Sequence, residues 1–239
     1  MEIVGLITRF TQFKENDAMI SVVTLDKIYS FLARGVLKVS SKNKASIQPF
    51  TKSQLQISRG KEGYSLRTGI VLESYEHAKA KLESLLVLSL IGELTNKVIT
   101  NGEVNNIYPF LEQSFILLNE DFHPLTIALI YFANVLKVIG LSLEVNKCVI
   151  SGQTIEICAI SLIDGGLISK DAFDPLKHAY ASERKINIYR QIFLAQVKDM
   201  NRVAFLDEEC LEILKELSVY LSDNAGTYLK SLKLINETF

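Results

Sequence analysis

Hydrophobic positions follow two different periods along this chain, and the period changes near residue 75. Before that point, five short runs rich in β-branched and aromatic residues are separated by turn-forming residues. These runs span residues 2–10, 18–25, 27–33, 54–58 and 63–72. They predict a small all-β unit, with Asp26 and Lys27 in a tight hairpin connection. The second half of residues 35–46, rich in Ser, Lys and Asn, predicts a flexible basic loop.

Later in the chain the apolar residues recur at helical spacing. The pattern predicts helices over residues 82–98, 105–118, 124–139, 186–200 and 207–222. Residues 147–173, with three glycines, break this pattern and predict an inserted knuckle. The sequence therefore predicts a multidomain β + α protein. A five-stranded β-domain covers residues 1–76, and an all-helical domain with the insertion covers residues 77–239.

Composition indicates a globular intracellular protein. Of 239 residues, 48% are hydrophobic, and the three cysteines do not make a disulfide framework. We therefore expect a reducing, cytoplasmic setting. The first ten residues lack the basic leader and apolar core of a signal peptide. The most apolar run, residues 85–94, is far shorter than the roughly 20 residues of a membrane span, so no membrane association is expected.

Charge is divided unevenly between the two parts of the chain. Residues 1–70 hold eleven Lys or Arg against five acids, a formal charge of +6, and the remainder holds fifteen against twenty-two, or −7. A chain that is basic at one end and acidic at the other points to a polyanion, such as nucleic acid, bound by one module.

The segment from Arg34 to Arg67 concentrates this charge, with eight bases against one acid, Glu62. Clustered cations contact phosphates without reading sequence, although a solvated surface is the alternative. The residues predicted to contact DNA are Arg34, Lys38, Lys42 and Lys44, and in second rank Arg9, Lys14 and Lys52. The aromatic residues among these bases are Tyr29, Phe31, Phe50 and Tyr64. Each is favoured as a core residue over a base-stacking one.

Signals for metal binding and catalysis are weak. Cys148 and Ser151 have the spacing of half a zinc knuckle, and Ser169 and Ala172 stand where a second pair would fall. A structural zinc site normally takes four Cys or His ligands, so no metal is predicted. The sequence also lacks a phosphate-binding loop, a serine-hydrolase elbow and a zinc-protease motif. An enzyme, including a metal-dependent nuclease, is therefore disfavoured.

Several segments, matched in order and spacing, resemble one known family. In the first part they are residues 5–7 (GLI), 14–24 (KENDAMISVVT), 33–36 (ARGV) and 46–50 (SIQPF). In the second part they are residues 138–140 (VIG), 146–152 (NKCVISG), 161–167 (SLIDGGL) and 229–235 (LKSLKLI). Over almost its whole length the chain thus resembles the RecO family of bacterial recombination mediators and DNA-annealing proteins.

The resemblance implies an oligonucleotide/oligosaccharide-binding (OB) barrel followed by a helical domain. It implies binding of single- and double-stranded DNA, annealing of complementary strands, and loading of recombinase onto DNA coated by single-strand-binding protein. The partners it implies are RecR and the acidic C-terminal tail of the single-strand-binding protein. It places the protein in the cytoplasm, at the nucleoid.

The chain departs from the family at the zinc knuckle. Many relatives keep four cysteines as two pairs, whereas only Cys148 remains here, with Ser151, Ser169 and Ala172 at the matching positions. The resemblance therefore predicts a degenerate, cysteine-poor knuckle over residues 147–173 and no cofactor. Apolar packing is expected to replace the metal, and its candidate residues are Ile150, Ile157, Ile160 and Leu162.

A second reading of the chain is a protein-interaction adaptor, in which the helical domain docks repair partners with little DNA binding. Residues 177–202 carry six bases against two acids and are the predicted site for the acidic tail. Those six bases are Lys177, Arg184, Lys185, Arg190, Lys198 and Arg202.

Overall fold

The protein is described by a computed structural model over residues 1–61 and 63–239, which fall into two compact units. The first unit comprises residues 1–124 and 229–239, and the second comprises residues 125–228. Glu62, the one acid of the basic segment, lies outside the described residues. The first unit contains helices as well as the β-domain, and the chain returns to it after completing the second unit.

Five strands of the first unit close into a barrel in the order β1-β2-β3-β5-β4, which confirms the predicted fold. They are β1 (Glu2–Phe13), β2 (Asp17–Val23), β3 (Ile28–Ala33), β4 (Lys52–Gly60) and β5 (Gly63–Glu73). All pairs are antiparallel except β3 and β5, which pair in parallel at Phe31–Tyr64 and Leu32–Ser65. The predicted hairpin joins β2 to β3, where Val23 pairs with Ile28.

Alternating side chains fill the barrel, as expected for strands that bury one face. The buried set includes Ile7, Ile20, Val22, Leu55 and Ile57. Two of the four aromatic residues in question, Tyr29 and Phe31, belong to this core at 7% and 1% exposure. Their interpretation as core residues is therefore correct, and they are excluded as base-stacking groups.

The connection between β3 and β4 is more ordered than the sequence suggested. Residues Ala45–Ile47 form a 3-10 turn in which Ile47 is fully buried in the barrel core. The side-chain amide of Asn43 makes two hydrogen bonds to the backbone of β5. Its Nδ2 donates to the Arg67 carbonyl at 3.0 Å, and its Oδ1 accepts from the Gly69 amide at 3.2 Å. The prediction of a flexible second half is wrong from Asn43 onward, because the connection is fastened to the barrel there.

Four helices complete the first unit: α1 (Glu76–Ala80), α2 (Leu82–Val98), α3 (Val104–Asn119) and α7 (Ser231–Thr238). Helix α2 approaches β1 closely because Gly92 has no side chain; a Cβ there would lie 2.7 Å from the Thr8 carbonyl oxygen. The Glu93 carboxylate binds the start of α7, accepting from the Lys230 and Ser231 amides at 3.0 and 2.8 Å. Burial opposes the charge of Glu93, but hydrogen bonds from Lys97, Ser231 and Lys230 lower its pKa to about 2.

The second unit combines helices with a small sheet. Its helices are α4 (Pro124–Val138), α5 (Glu183–Leu194) and α6 (Asp207–Ala225), and its strands are β6 (Glu144–Cys148), β7 (Ile157–Ser161) and β8 (Gly166–Ser169). The strands pair in the order β6-β8-β7, so the region predicted as an irregular knuckle contains regular structure. Helix α5 is shorter than its predicted range, since a 3-10 turn at Val197–Asp199 follows it. Across the described residues, no helix has both the length and the apolarity that crossing a membrane requires.

Candidate nucleic-acid interface

Two adjoining cavities lie on the outer surface of the barrel, along β2, β3 and β5. Their volumes are about 540 and 650 Å³, and both are lined by Leu32, Arg34, Gly63 and Tyr64. We call the residues that line them the basic face, because their cations are Lys14, Arg34, Lys61 and Arg67. Antiparallel barrels of this type bind oligonucleotides on the corresponding strands.

The cations of the basic face are held by the loops and strand ends around it. Lys14 lies in the β1–β2 turn, with its ammonium group 5.4 Å from the centre of the Phe13 ring. Arg34 directly follows β3, where the Gly35 amide donates to the Asp17 carboxylate at 2.7 Å. Among the described residues that line the face, Asp17 carries the one carboxylate, and it accepts this backbone bond beside Arg34.

Lys61 and Arg67 were not predicted as site residues, although both line the first cavity. Lys61 is exposed in the turn between β4 and β5, and Arg67 is exposed on β5. The Nε of Arg67 donates to the Ser58 hydroxyl at 2.8 Å, a neutral partner that leaves the guanidinium charge uncompensated by that bond. The sequence signal for both residues was their place in the basic segment from Arg34 to Arg67.

Aromatic side chains accompany these cations. Phe13 is 43% exposed and lines the second cavity, together with the half-buried Tyr64. The Tyr64 ring packs edge-to-face on Tyr29, with the ring centres 5.5 Å apart. Stacking of a base on an aromatic ring is worth about 1–3 kcal/mol and tolerates any sequence. Phe13, which the sequence analysis did not single out, is the more exposed stacking surface.

The β3–β4 connection brings further predicted cations toward this face. Lys42 and Lys44 flank Asn43, whose amide is bonded to β5 at Arg67 and Gly69. Both lysines are exposed, as is Lys38 earlier in the connection. The backbone around Asn43 therefore continues the positive surface beside Arg67.

Two second-rank residues are placed elsewhere on the first unit. The Lys52 ammonium lies 2.7 Å from the Glu112 carboxylate, and both side chains are 30% exposed. Its charge is thus already paired. Arg9 lines a separate cavity of about 450 Å³, together with Phe50 and Lys97. Neither Arg9 nor Lys52 lines the basic face.

The cations predicted to dock an acidic tail lie in the second unit and largely have partners there. Arg184 pairs with Glu209, and Lys185 lies 2.7 and 2.6 Å from Glu212 and Glu216. The Arg190 Nε donates to the Val145 carbonyl at 3.3 Å. The remaining pairs are Lys177 with Asp174 at 3.8 Å and Arg202 with Asp199 at 2.9 Å. An acidic tail would have to compete with these carboxylates, and Lys198 is exposed among them.

Comparison with known proteins agrees with this architecture. The family model for the N-terminal region of recombination protein O matches residues 1–75, and the model for its C-terminal region matches residues 80–233. The chain belongs to the RecO family. The first match covers the barrel, and the second begins at the last residue of α1.

Relatives named DNA repair protein RecO match nearly the whole chain. The protein of Listeria welshimeri serovar 6b is 25% identical over 237 residues, which is 98% of this chain and 92% of the relative. That of Halalkalibacterium halodurans is 23% identical over 238 residues, with 98% and 93% coverage. That of Bacillus cytotoxicus is 25% identical over 244 residues, with 98% and 95% coverage.

The zinc knuckle implied by the RecO resemblance has a different set of side chains here. Cys148 at the end of β6, Ser151 in the following turn and Ser169 at the end of β8 come together. The Ser151 and Ser169 hydroxyl oxygens are 2.8 Å apart. Two oxygen ligands of a tetrahedral zinc ion, each about 2.0 Å from the metal, would be about 3.3 Å apart. The two hydroxyls therefore bond each other, and they do not stand at ligand spacing.

The chemistry of the side chains at the four ligand positions also argues against a zinc site. One thiol, two neutral hydroxyls and the methyl group of Ala172 do not form a zinc ligand set. Within residues 1–61 and 63–239, no cluster of three or more His, Cys, Asp or Glu side chains is arranged to hold a metal ion. The residues of this knuckle do not fit zinc.

Packing in the knuckle also differs from the prediction. Ile150 is 56% exposed, so its predicted packing role is wrong, and Ile157, Ile160 and Leu162 are only partly buried. The buried cluster consists instead of Cys158, Ala159 and Ile168, against which Ala172 and Phe173 pack. The pairing of β7 with β8, which the sequence analysis did not recognise, brings Ala159 opposite Ile168 and so forms this cluster.

Proposed function

We propose that this RecO-family chain binds single- and double-stranded DNA on the basic face and anneals complementary strands as a mediator of recombinational DNA repair. The observation that carries the proposal is the combination of four cations with exposed Phe13 and half-buried Tyr64 on one barrel surface. Relatives named DNA repair protein RecO support the biological setting.

Annealing requires two strands to approach while their bases stay free to pair. The cations of the basic face reduce phosphate repulsion, and each phosphate contact also releases condensed counterions. A base stacked on Phe13 or Tyr64 uses its ring face and leaves its hydrogen-bonding edge open. No covalent bond is made or broken, so the proposed activity is non-enzymatic and needs no catalytic residue.

The exposed lysines of the β3–β4 connection extend the proposed DNA path. Lys42 and Lys44 flank the residue that is fastened beside Arg67, and Lys38 precedes them. Arg34 lies at the other end of the same connection and lines both cavities. Together these residues form the predicted phosphate-contacting set, now joined by Lys61 and Arg67.

The proposed partners are RecR and the acidic tail of single-strand-binding protein, which the family resemblance implies together with recombinase loading in the cytoplasm. Residues 177–202 are the proposed tail site. Their existing ion pairs set a condition, because a bound tail must replace carboxylates such as Glu209 and Glu212. Tail binding there is expected to be weak and to fall with salt.

Anisotropy of a labelled single-stranded oligonucleotide, titrated at several salt concentrations, tests the DNA-binding step. Lys42→Ala and Lys44→Ala together are expected to flatten the log–log salt slope by about 1.4, which is about 0.7 for each lost phosphate contact. An unchanged slope excludes these two lysines from the interface.

A partner-free annealing assay with two complementary dye-labelled oligonucleotides tests the activity itself. The protein is expected to accelerate annealing at low salt and to leave both strands uncut in the presence of Mg²⁺. If no oligonucleotide is retained even in dilute buffer while the tail peptide still binds, the adaptor function is correct and the DNA-annealing proposal is wrong. Cleavage of the labelled strand would instead make the protein a nuclease.

A further inference from the structure

Three of the four positions that match the zinc ligands of the RecO family, Cys148, Ser151 and Ser169, are linked here by hydrogen bonds. The Ser151 amide donates to the Cys148 sulfur at 3.4 Å, and the Ser169 hydroxyl donates to the Asp171 carboxylate. Each serine hydroxyl has one hydrogen, and that of Ser169 is already given to Asp171. The 2.8 Å contact between the two hydroxyls is therefore donated by Ser151 to Ser169.

This chain of bonds links the same two arms of the knuckle that a metal would link. One arm is the turn after β6, which holds Cys148 and Ser151. The other is the end of β8 and its 3-10 turn, Lys170–Ala172, which hold Ser169 and Asp171. The bonds between the arms run from the Ser151 hydroxyl to the Ser169 hydroxyl and on to the Asp171 carboxylate, so each hydroxyl hydrogen along the path has an acceptor. Hydrogen bonds to a charged group are roughly twice as strong as neutral ones.

Backbone bonds hold the two arms in register around this path. The Val149 amide donates to the Leu167 carbonyl of the other arm at 2.8 Å, and the Gly152 amide closes the turn after β6 by donating to the Cys148 carbonyl at 2.9 Å. Ser169 is fully buried, whereas Asp171 is exposed to water. The carboxylate therefore anchors the bonded chain without the cost of burying an ion.

We infer that the bonded path through Ser151, Ser169 and Asp171 replaces zinc as the cross-link of the knuckle. The positions keep the sequence separation of two Cys-x-x-Cys pairs, 148/151 and 169/172, so that thiols placed at residues 151, 169 and 172 beside Cys148 would again bind zinc. This inference is independent of DNA binding, because all of its residues belong to the second unit.

The metal content of purified protein tests the first half of the inference. The unmodified chain, expressed with zinc supplied and dialysed against a mild chelator, is expected to retain less than about one tenth of an equivalent. The S151C/S169C/A172C variant is expected to retain about one equivalent, and adding Cys148→Ser to it is expected to lower the zinc content well below that. One equivalent of zinc on the unmodified chain overturns the inference, and so does a folded triple variant that binds none.

Ser169→Ala tests the bonded path even if the cysteine variant does not fold. Loss of both Ser169 bonds is expected to lower the thermal midpoint of the second unit by roughly 3–8 °C. It is also expected to speed hydrogen exchange at the Val149 and Gly152 amides. Thr154→Ala, which removes an exposed hydroxyl from the connection between β6 and β7, is the matched control and should change neither. Equal behaviour of the two variants overturns the cross-link.

Discussion

Replacing Lys61 and Arg67 with glutamine removes two charges from the basic face while keeping the stems of the side chains. Both residues line the same cavity beside Tyr64. If each contacts one phosphate, the salt slope for single-stranded DNA becomes less steep by about 1.4. At 0.1 M monovalent salt this corresponds to a rise in Kd of about 25-fold, or about 2 kcal/mol.

The control for this experiment is a second double variant with the same change in net charge. Lys198→Gln and Lys215→Gln alter two exposed lysines of the second unit and should leave the slope within error of the unmodified protein. Thermal melting must accompany both measurements, because Arg67 also bonds the Ser58 hydroxyl at 2.8 Å. Equal loss of affinity in both folded double variants would refute a local interface, since it would show that only the net charge matters.

Three further changes probe single features of the first unit. Phe13→Ala should weaken single-stranded DNA binding by about 5- to 150-fold with an unchanged salt slope. Phe13→Leu has the same charge and keeps an apolar side chain without the ring, so its comparison with Phe13→Ala separates stacking from simple apolar contact. An altered salt slope would contradict the stacking role. Asn43→Ala should cost about 1–2 kcal/mol and reduce DNA affinity without changing charge, measured by urea unfolding and anisotropy, because it releases the connection from β5. Glu93, whose pKa is lowered to about 2, should contribute stability that is present above about pH 4.5 and lost as the pH falls through 2. Glu93→Gln should remove that dependence from the acid-unfolding curve, and a curve of unchanged shape would exclude this carboxylate as its source.

The barrel was predictable because alternation is a local signal. Each of the five strands overlaps one of the predicted runs, and Ile20 and Leu55, which belong to two of those runs, are buried in the barrel. The closure of these strands into an OB barrel came from the family resemblance, since no local pattern specifies that β3 pairs with β5.

Individual site residues were harder to predict because the sequence shows where a charged residue lies along the chain but not which groups its side chain meets in the fold. Lys52 belongs to the basic segment, yet its ammonium group meets Glu112, sixty residues away in sequence. Phe13 was overlooked because one exposed aromatic residue at a strand end looks like any other strand residue. In the knuckle, the glycines led the sequence analysis to predict irregular structure. The structure has three short strands there, whose pairing is set by contacts across the turn.

The first unit is interrupted in sequence, and this has a consequence for the order in which the protein can be assembled. Its closing helix, α7, is tied to Glu93 only after the intervening 104 residues of the second unit have been made. A ribosome that has released residues 1–124 has supplied Lys97, but not yet the Lys230 and Ser231 donors of that carboxylate. Until residues 229–239 emerge, Glu93 in α2 has only part of its set of partners, and this leaves an interval in which a chaperone has a defined element to protect.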